Sequence, residues 1–202
     1  LVDIGRGMGS GPIETQLSVS RDGMNWYRYN RPTYLGPGEH GGRNVVTAYI
    51  AHGMVKRGNE IWQYYFGETQ YHSAIKKDPN GRGVYRLVQR LDGFVSIDSP
   101  YDKEVEMKTK KFVFDGNNLT LNIDTDAAGY TQVGILDENG NAIEGYSADD
   151  CVYINGDFFD KKVEWLGQGT DLSHLKGKTI QLVYRMRGSK LYKHRHLHNT
   201  LL

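Results

Sequence analysis

The sequence has one cysteine, few prolines, no long apolar run and no excess of charge of either sign. Cys151 alone cannot form an intrachain disulfide, and it cannot build a thiolate metal cluster. Its presence fits a cytosolic protein and a bacterial envelope protein equally. Lys+Arg 25 against Asp+Glu 24 leaves a formal net charge of +1, so no global field draws the chain to nucleic acid or to an anionic membrane surface. Apolar runs such as Asn44–Ala51 stop far short of the roughly 20 residues that span a bilayer. No membrane span and no nucleic-acid partner are expected. The first residue is Leu1, with neither an initiator Met nor a charged-then-apolar leader, which leads us to expect numbering that begins after processing or within a longer gene product.

What remains is ordinary globular composition over 202 residues, 38% hydrophobic and 24% charged, with 25 Gly and 14 Tyr. Asp-Gly, Asn-Gly and Gly-Asn pairs punctuate short runs of β-branched and aromatic residues, and no helical period stands out before residue 100. The pattern predicts an all-β protein. Gln16–Ser20, the turn Arg21-Asp22-Gly23 and Met24–Arg28 read as a hairpin. Val45–Val55, Arg57-Gly58-Asn59 and Ile61–Phe66 repeat the design. Val84–Gln89, Asp92-Gly93 and Phe94–Ile97 repeat it again. Ser20–Trp26 and Arg90–Ser96 resemble one another weakly around their Asp-Gly turns, and strands returning to such a hairpin suggest β-propeller blades. A propeller needs at least four blades, so residues 1–98 supply one to two and cannot close.

Composition shifts near Asp98-Ser99-Pro100, where the charged run Asp102–Lys111 begins. A domain boundary is expected here, with 1–98 as terminal propeller blades and 99–202 as a second domain. Lys111–Phe114, Leu119–Ile123, Tyr130–Leu136, Lys162–Trp165 and Thr179–Arg185 alternate as half-buried strands, the pattern of a jelly-roll-like β-sandwich. Ser173–Gly177 reads as one helical turn or a tight loop.

Two sets of short strings give the chain a familiar wording. Pro12–Arg28, with Asn59–Gly67 and His72 behind it, resembles the last blades of five-bladed propeller glycosidases, in the group around glycoside hydrolase families 32 and 43. Arg90–Ser96, Leu119–Asn122, Val133–Asp137, Gly145-Tyr146, Asp150-Cys151, Val163–Trp165, Asp171–Ser173 and Leu191-Tyr192 are similar to the C-terminal β-sandwich that follows such propellers. The resemblance implies a carbohydrate partner, and in the intact protein acid-base hydrolysis of a glycosidic bond. It also implies that the principal carboxylates sit on earlier blades, so the 202-residue chain alone is expected to lack turnover. A secreted or periplasmic location is favoured over the cytoplasm.

Glycoside hydrolysis needs two carboxyl groups, about 5 Å apart for retention and ~6.5–9.5 Å for inversion. Under the resemblance the candidates are Glu14, entering a strand, and Glu68, following the aromatic strand Trp62–Phe66; a capped turn or solvated loop is the competing reading for Glu14. His72 is a candidate donor to a sugar hydroxyl or neighbour to an acid, against a structural hydrogen bond. Glu39 and Arg43 lie in the Gly-rich loop Gly36–Arg43 at a funnel rim, where loop flexibility is the competing reading. Trp62, with Trp26, Tyr27, Tyr64 and Tyr65, either stacks on sugar faces or packs within a blade. Asp22 and Asp92 read as turn formers.

No metal and no other cofactor is expected. Asp124-Thr-Asp126 with Gly129 partly matches a calcium loop but lacks the third spaced acid and the distal Glu. Asp149-Asp150 beside Cys151 reads as a loop next to a buried thiol. His194, His196 and His198 would place three imidazoles on one face of a strand, or form a frayed basic terminus.

Two alternatives from other classes stand beside the glycosidase reading. One is a non-catalytic module whose surface aromatics (Tyr130, Tyr146, Tyr153, Trp165) bind glycan, although the Val163-Glu-Trp165 alternation points Trp165 inward and favours bracing. The other is a structural protein that self-associates, or holds separate blades, through an unpaired blade edge.

Overall fold

The computed structural model describes residues 11–74 and 78–197. The protein is all-β: among the described residues there are several antiparallel sheets, none closed, with a 3-10 turn at Ser173–Leu175. Among the described residues no helix is long and apolar enough to cross a membrane. The chain divides into two compact units, Leu1–Leu91 and Asp92–Leu202.

The first unit contains β1 (Thr15–Gln16), β2 (Thr33–Leu35), β3 (Gly38–His40), β4 (Arg43–Val45), β5 (Thr47–Ile50), β6 (Val55–Arg57), β7 (Glu60–Glu68) and β8 (Arg82–Arg90). β7 is central: β8 pairs with its whole length, while β5 and β6 share the opposite edge, β6 beside its start and β5 beside its end. Ile13 adds a parallel bridge outside β5. The Gln16–Arg28 hairpin is reduced to a bridge between Val19 and Tyr27, because Asp22 draws the backbone N–H groups of Met24 and Asn25 onto its own carboxylate. The Gly-rich loop forms a two-residue hairpin between β3 and β4, with Gly41 at φ 56° and Gly42 at φ 77°, values that favour glycine.

Period-two alternation splits β7 into two faces. Gln63, Tyr65 and Gly67 face a small core with Leu35, Val45 and Ala48, against which Tyr34, Ile50, Tyr85 and Leu87 pack. Tyr85 lies flat across two glycines: a Cβ on Gly67 would stand 2.9 Å from its ring, and one on Gly83 equally close. Trp62, Tyr64, Phe66 and Glu68 occupy the opposite face with Arg86, Val84 and Arg82 of β8.

The second unit contains β9 (Ile97–Asp98), β10 (Val105–Lys108), β11 (Phe112–Val113), β12 (Asn118–Leu136), β13 (Asp157–Lys162) and β14 (Thr179–Leu197). β12 and β14 form a long antiparallel pair, flanked by β13 on one side and by β10, β11 and β9 on the other. Leu119–Ile123 and Tyr130–Leu136, two runs in the sequence, are one strand interrupted by a bulge between Thr125 and Tyr130. The core collects Leu119, Leu121, Ile123, Val133 and Ile135 from β12 and Ile180, Leu182, Tyr184, Met186 and Leu191 from β14. Trp165 is fully buried in it, and its indole N–H donates to the Val133 carbonyl at 2.8 Å, so the one polar atom of the ring is satisfied.

Candidate functional site

Glu68 ends the central strand of the first unit and is only 7% exposed. A buried carboxylate is costly unless paired. Its Oε1 lies 3.4 Å from Nε of Arg82, the residue opposite it on β8, and the Arg82 carbonyl accepts a hydrogen bond from Nη1 of Arg43 at 2.6 Å. Thr47, opposite Glu68 on β5, is fully buried, and its hydroxyl has no hydrogen-bond partner among the described residues. Glu68, Arg82 and Arg43 therefore form one chain of contacts at the end of the sheet.

Glu14 stands beside Ile13, whose backbone pairs with Val46 and Ala48. Its carboxylate accepts from the Thr33 hydroxyl at 2.6 Å and from the Gln16 amide at 2.8 Å. These bonds, Thr33 first, hold the exposed carboxyl below its ordinary value. The two donors favour the ionised carboxylate, which suits Glu14 to accepting hydrogen bonds and not to donating a proton. The partners named for the two carboxylates differ, Thr33 and Gln16 for one and Arg82 for the other.

The remaining candidates are spread over the first unit. His72 is exposed in the turn after β7, and Glu39 is exposed opposite Asn44 in the β3–β4 hairpin. Trp62 is half-buried: the Arg86 guanidinium lies 4.0 Å over its ring and that of Arg57 5.3 Å away, while its indole N–H donates to Glu60 at 2.6 Å. Trp26 and Tyr27 are exposed. Tyr49 and Tyr64, each 44% exposed, share the Trp62 face of the sheet with Val84 and Val88.

On the other face, His40 and Tyr65 are joined through Nδ1 and the hydroxyl at 2.5 Å, and Tyr85 stacks on Tyr65 with ring centroids 5.2 Å apart. Burial, reinforced by Tyr85, pushes the Tyr65 phenol up. The Tyr34 hydroxyl meets the amide oxygens of both Gln63 and Gln89. A phenol has one proton, so one amide must turn its NH2 toward Tyr34, and Gln89, whose Nε2 otherwise lacks a partner, is the one that gains. Tyr34, Tyr85 and the two glutamines carried no signal beyond alternation in a strand.

In the second unit the loop acid Asp92 does more than form a turn. It sits at φ 60°, and its carboxylate binds Nζ of Lys193 at 3.1 Å and Nη2 of Arg195 at 3.3 Å. The basic C-terminal run is strand β14 as far as Leu197. A bulge at Tyr192 turns His194 to the face of Leu121, where its Nδ1 meets the Tyr184 hydroxyl at 3.0 Å and its ring stacks near Phe112. His198 lies outside the described residues. Among the described residues no group of three His, Cys, Asp or Glu side chains is arranged to hold a metal ion, the Asp124-Asp126 loop included. Of the four aromatics considered for a surface platform, Trp165 and Tyr146 are buried, whereas Tyr153 is 63% exposed and Tyr130 half-buried.

No family model matches the chain, and no curated protein and no solved structure matches it.

Proposed function

We propose that this chain is the C-terminal portion of a carbohydrate-active protein of the propeller glycoside hydrolase type, with blade-like strands in the first unit and a β-sandwich in the second. The observation that supports the reading is the two-faced sheet of β5, β6, β7 and β8. One face carries its own small core, while the other leaves Tyr49, Tyr64, Val84 and Val88 in water. A sheet with apolar residues on both faces is built to stack between neighbours, as blades do.

In the intact protein the acid-base pair would be completed by carboxylates from other blades. Glu14, held by Thr33 and Gln16, suits a sugar-hydroxyl acceptor, and Glu68 with Arg82 and Arg43 suits a charged wall of the site. Glu39, His72 and Trp62 are assisting or lining groups. The isolated chain is inactive and self-associates through the open face. Sedimentation and an aryl-glycoside panel test this: concentration-dependent association, lost in Val84→Lys, and no turnover are expected. A clean monomer together with measurable turnover would overturn it.

A further inference from the structure

β8 is a nine-residue edge strand: β7 pairs with one side of it along its whole length, and among the described residues no strand pairs with the other. The hydrogen bonds of β7 show which β8 groups face that open side. The Tyr64 carbonyl accepts from the Ala51 N–H at 2.8 Å and so points to β5, away from β8. In an antiparallel pair bonded and non-bonded positions alternate, so Arg86, opposite Tyr64, turns its own N–H and C=O outward, with Val84 and Val88 in the same phase. Arg82 follows that phase at the start of the strand, where its carbonyl accepts from Arg43. Beyond it, the outward groups of Val84, Arg86 and Val88 meet no other backbone among the described residues. Val84 is 75% exposed and Val88 44%, so water reaches this edge.

Charge decides what the edge can take. The strands β5 to β8 carry five cations against two carboxylates, Glu60 and Glu68, in a chain whose net charge is only +1. Glu68 is engaged by Arg82, and Glu60 by the Trp62 indole N–H. The guanidiniums of Arg86 and Arg57 both lie over the Trp62 ring, and among the described residues neither pairs with a carboxylate. A second copy fits poorly, because full-length antiparallel pairing of β8 with itself sets Arg86 opposite Arg86 and Arg82 opposite Arg90. Such like charges guard an edge strand against its own kind.

We propose that β8 is a docking strand for an extended segment of another protein, added antiparallel to the edge, with an acidic residue opposite Arg86 and apolar residues opposite Val84 and Val88. Main-chain bonds to the three outward residues supply affinity, and alternate side chains supply selectivity. A guanidinium over an aromatic ring still offers its N–H edge to a carboxylate, so the Arg86–Trp62 contact and the acid do not compete. The proposal does not rest on the carbohydrate reading.

Fluorescence anisotropy of the full chain with labelled nine-residue peptides, at protein concentrations below those of self-association, tests it. A peptide centred on Val-Thr-Glu-Thr-Val should bind at concentrations up to about 1 mM, and one centred on Val-Thr-Lys-Thr-Val about tenfold more weakly. Methylating the backbone nitrogens of the two valines and the glutamate should abolish binding, whereas charge attraction alone would survive it. In Arg86→Glu the preference should reverse, and that gain of lysine-peptide binding is one no misfolded variant can produce. Equal binding of both peptides, binding that survives methylation, or no binding overturns the proposal. Protection of the Val84, Arg86 and Val88 amides from hydrogen exchange in the concentrated chain alone makes a second copy the occupant, which also overturns it. None of these readouts measures glycoside turnover, so their failure leaves the carbohydrate reading standing.

Discussion

The Tyr184 hydroxyl stands 3.0 Å from Nδ1 of His194, joining two positions of one long strand on either side of its bulge at Tyr192. Tyr184 is fully buried, and burial pushes its phenol far above the ordinary value, so it remains a proton donor throughout the working range. The hydroxyl both donates and accepts, so either tautomer of His194 satisfies the pair.

The pH dependence of stability follows from this pair. Burial holds the His194 imidazole below its ordinary value, so the unfolded chain takes up a proton at a higher pH than the native one. The stabilisation is complete above about pH 7.5 and is lost as pH falls through the ordinary histidine value towards the lower native one. Urea midpoints between about pH 8 and pH 5 should fall more steeply for the native sequence than for His194→Gln. Parallel curves would show that His194 does not titrate differently on folding.

Cys151 is 2% exposed, and burial pushes its thiol up to about 11. The nucleophile is the thiolate, so at pH 8 the native protein should not react with a disulfide reagent over minutes. One equivalent should react once urea unfolds the chain. Rapid reaction of the folded protein would place the thiol in an open environment.

Asp92 separates turn chemistry from ion pairing. Asn tolerates the positive φ of this position as Asp does, so Asp92→Asn keeps the backbone and removes only the charge facing Lys193 and Arg195. The three side chains are partly solvated, and the expected loss is about 1 kcal/mol, shrinking as salt is added. A loss of similar size at high salt would assign the effect to the turn.

Alternation and turn chemistry made the all-β class and most strand positions legible. β8 lies where Val84–Gln89 alternates, and the 3-10 turn falls within Ser173–Gly177. The bulges left no comparable signal. The one in β12 fuses two apparent strands, and the one at Tyr192 sets the face that His194 takes, which the spacing of the histidine run did not give. Val163 and Trp165 alternate as a strand would, yet β13 ends before them at Lys162, and they enter the core from a loop. Tyr130 and Arg187 meet through strand register, and that contact was not legible, because cross-strand partners are set by pairing and not by spacing along the chain.

The central claim is that the first unit belongs to a larger carbohydrate-active propeller, and the native mass in the source cell tests it most directly. An antibody raised against residues 92–202 should recover a species well above 22.9 kDa that cleaves an aryl glycoside. A native species of 22.9 kDa, or a larger one without glycosidase turnover, would contradict the account.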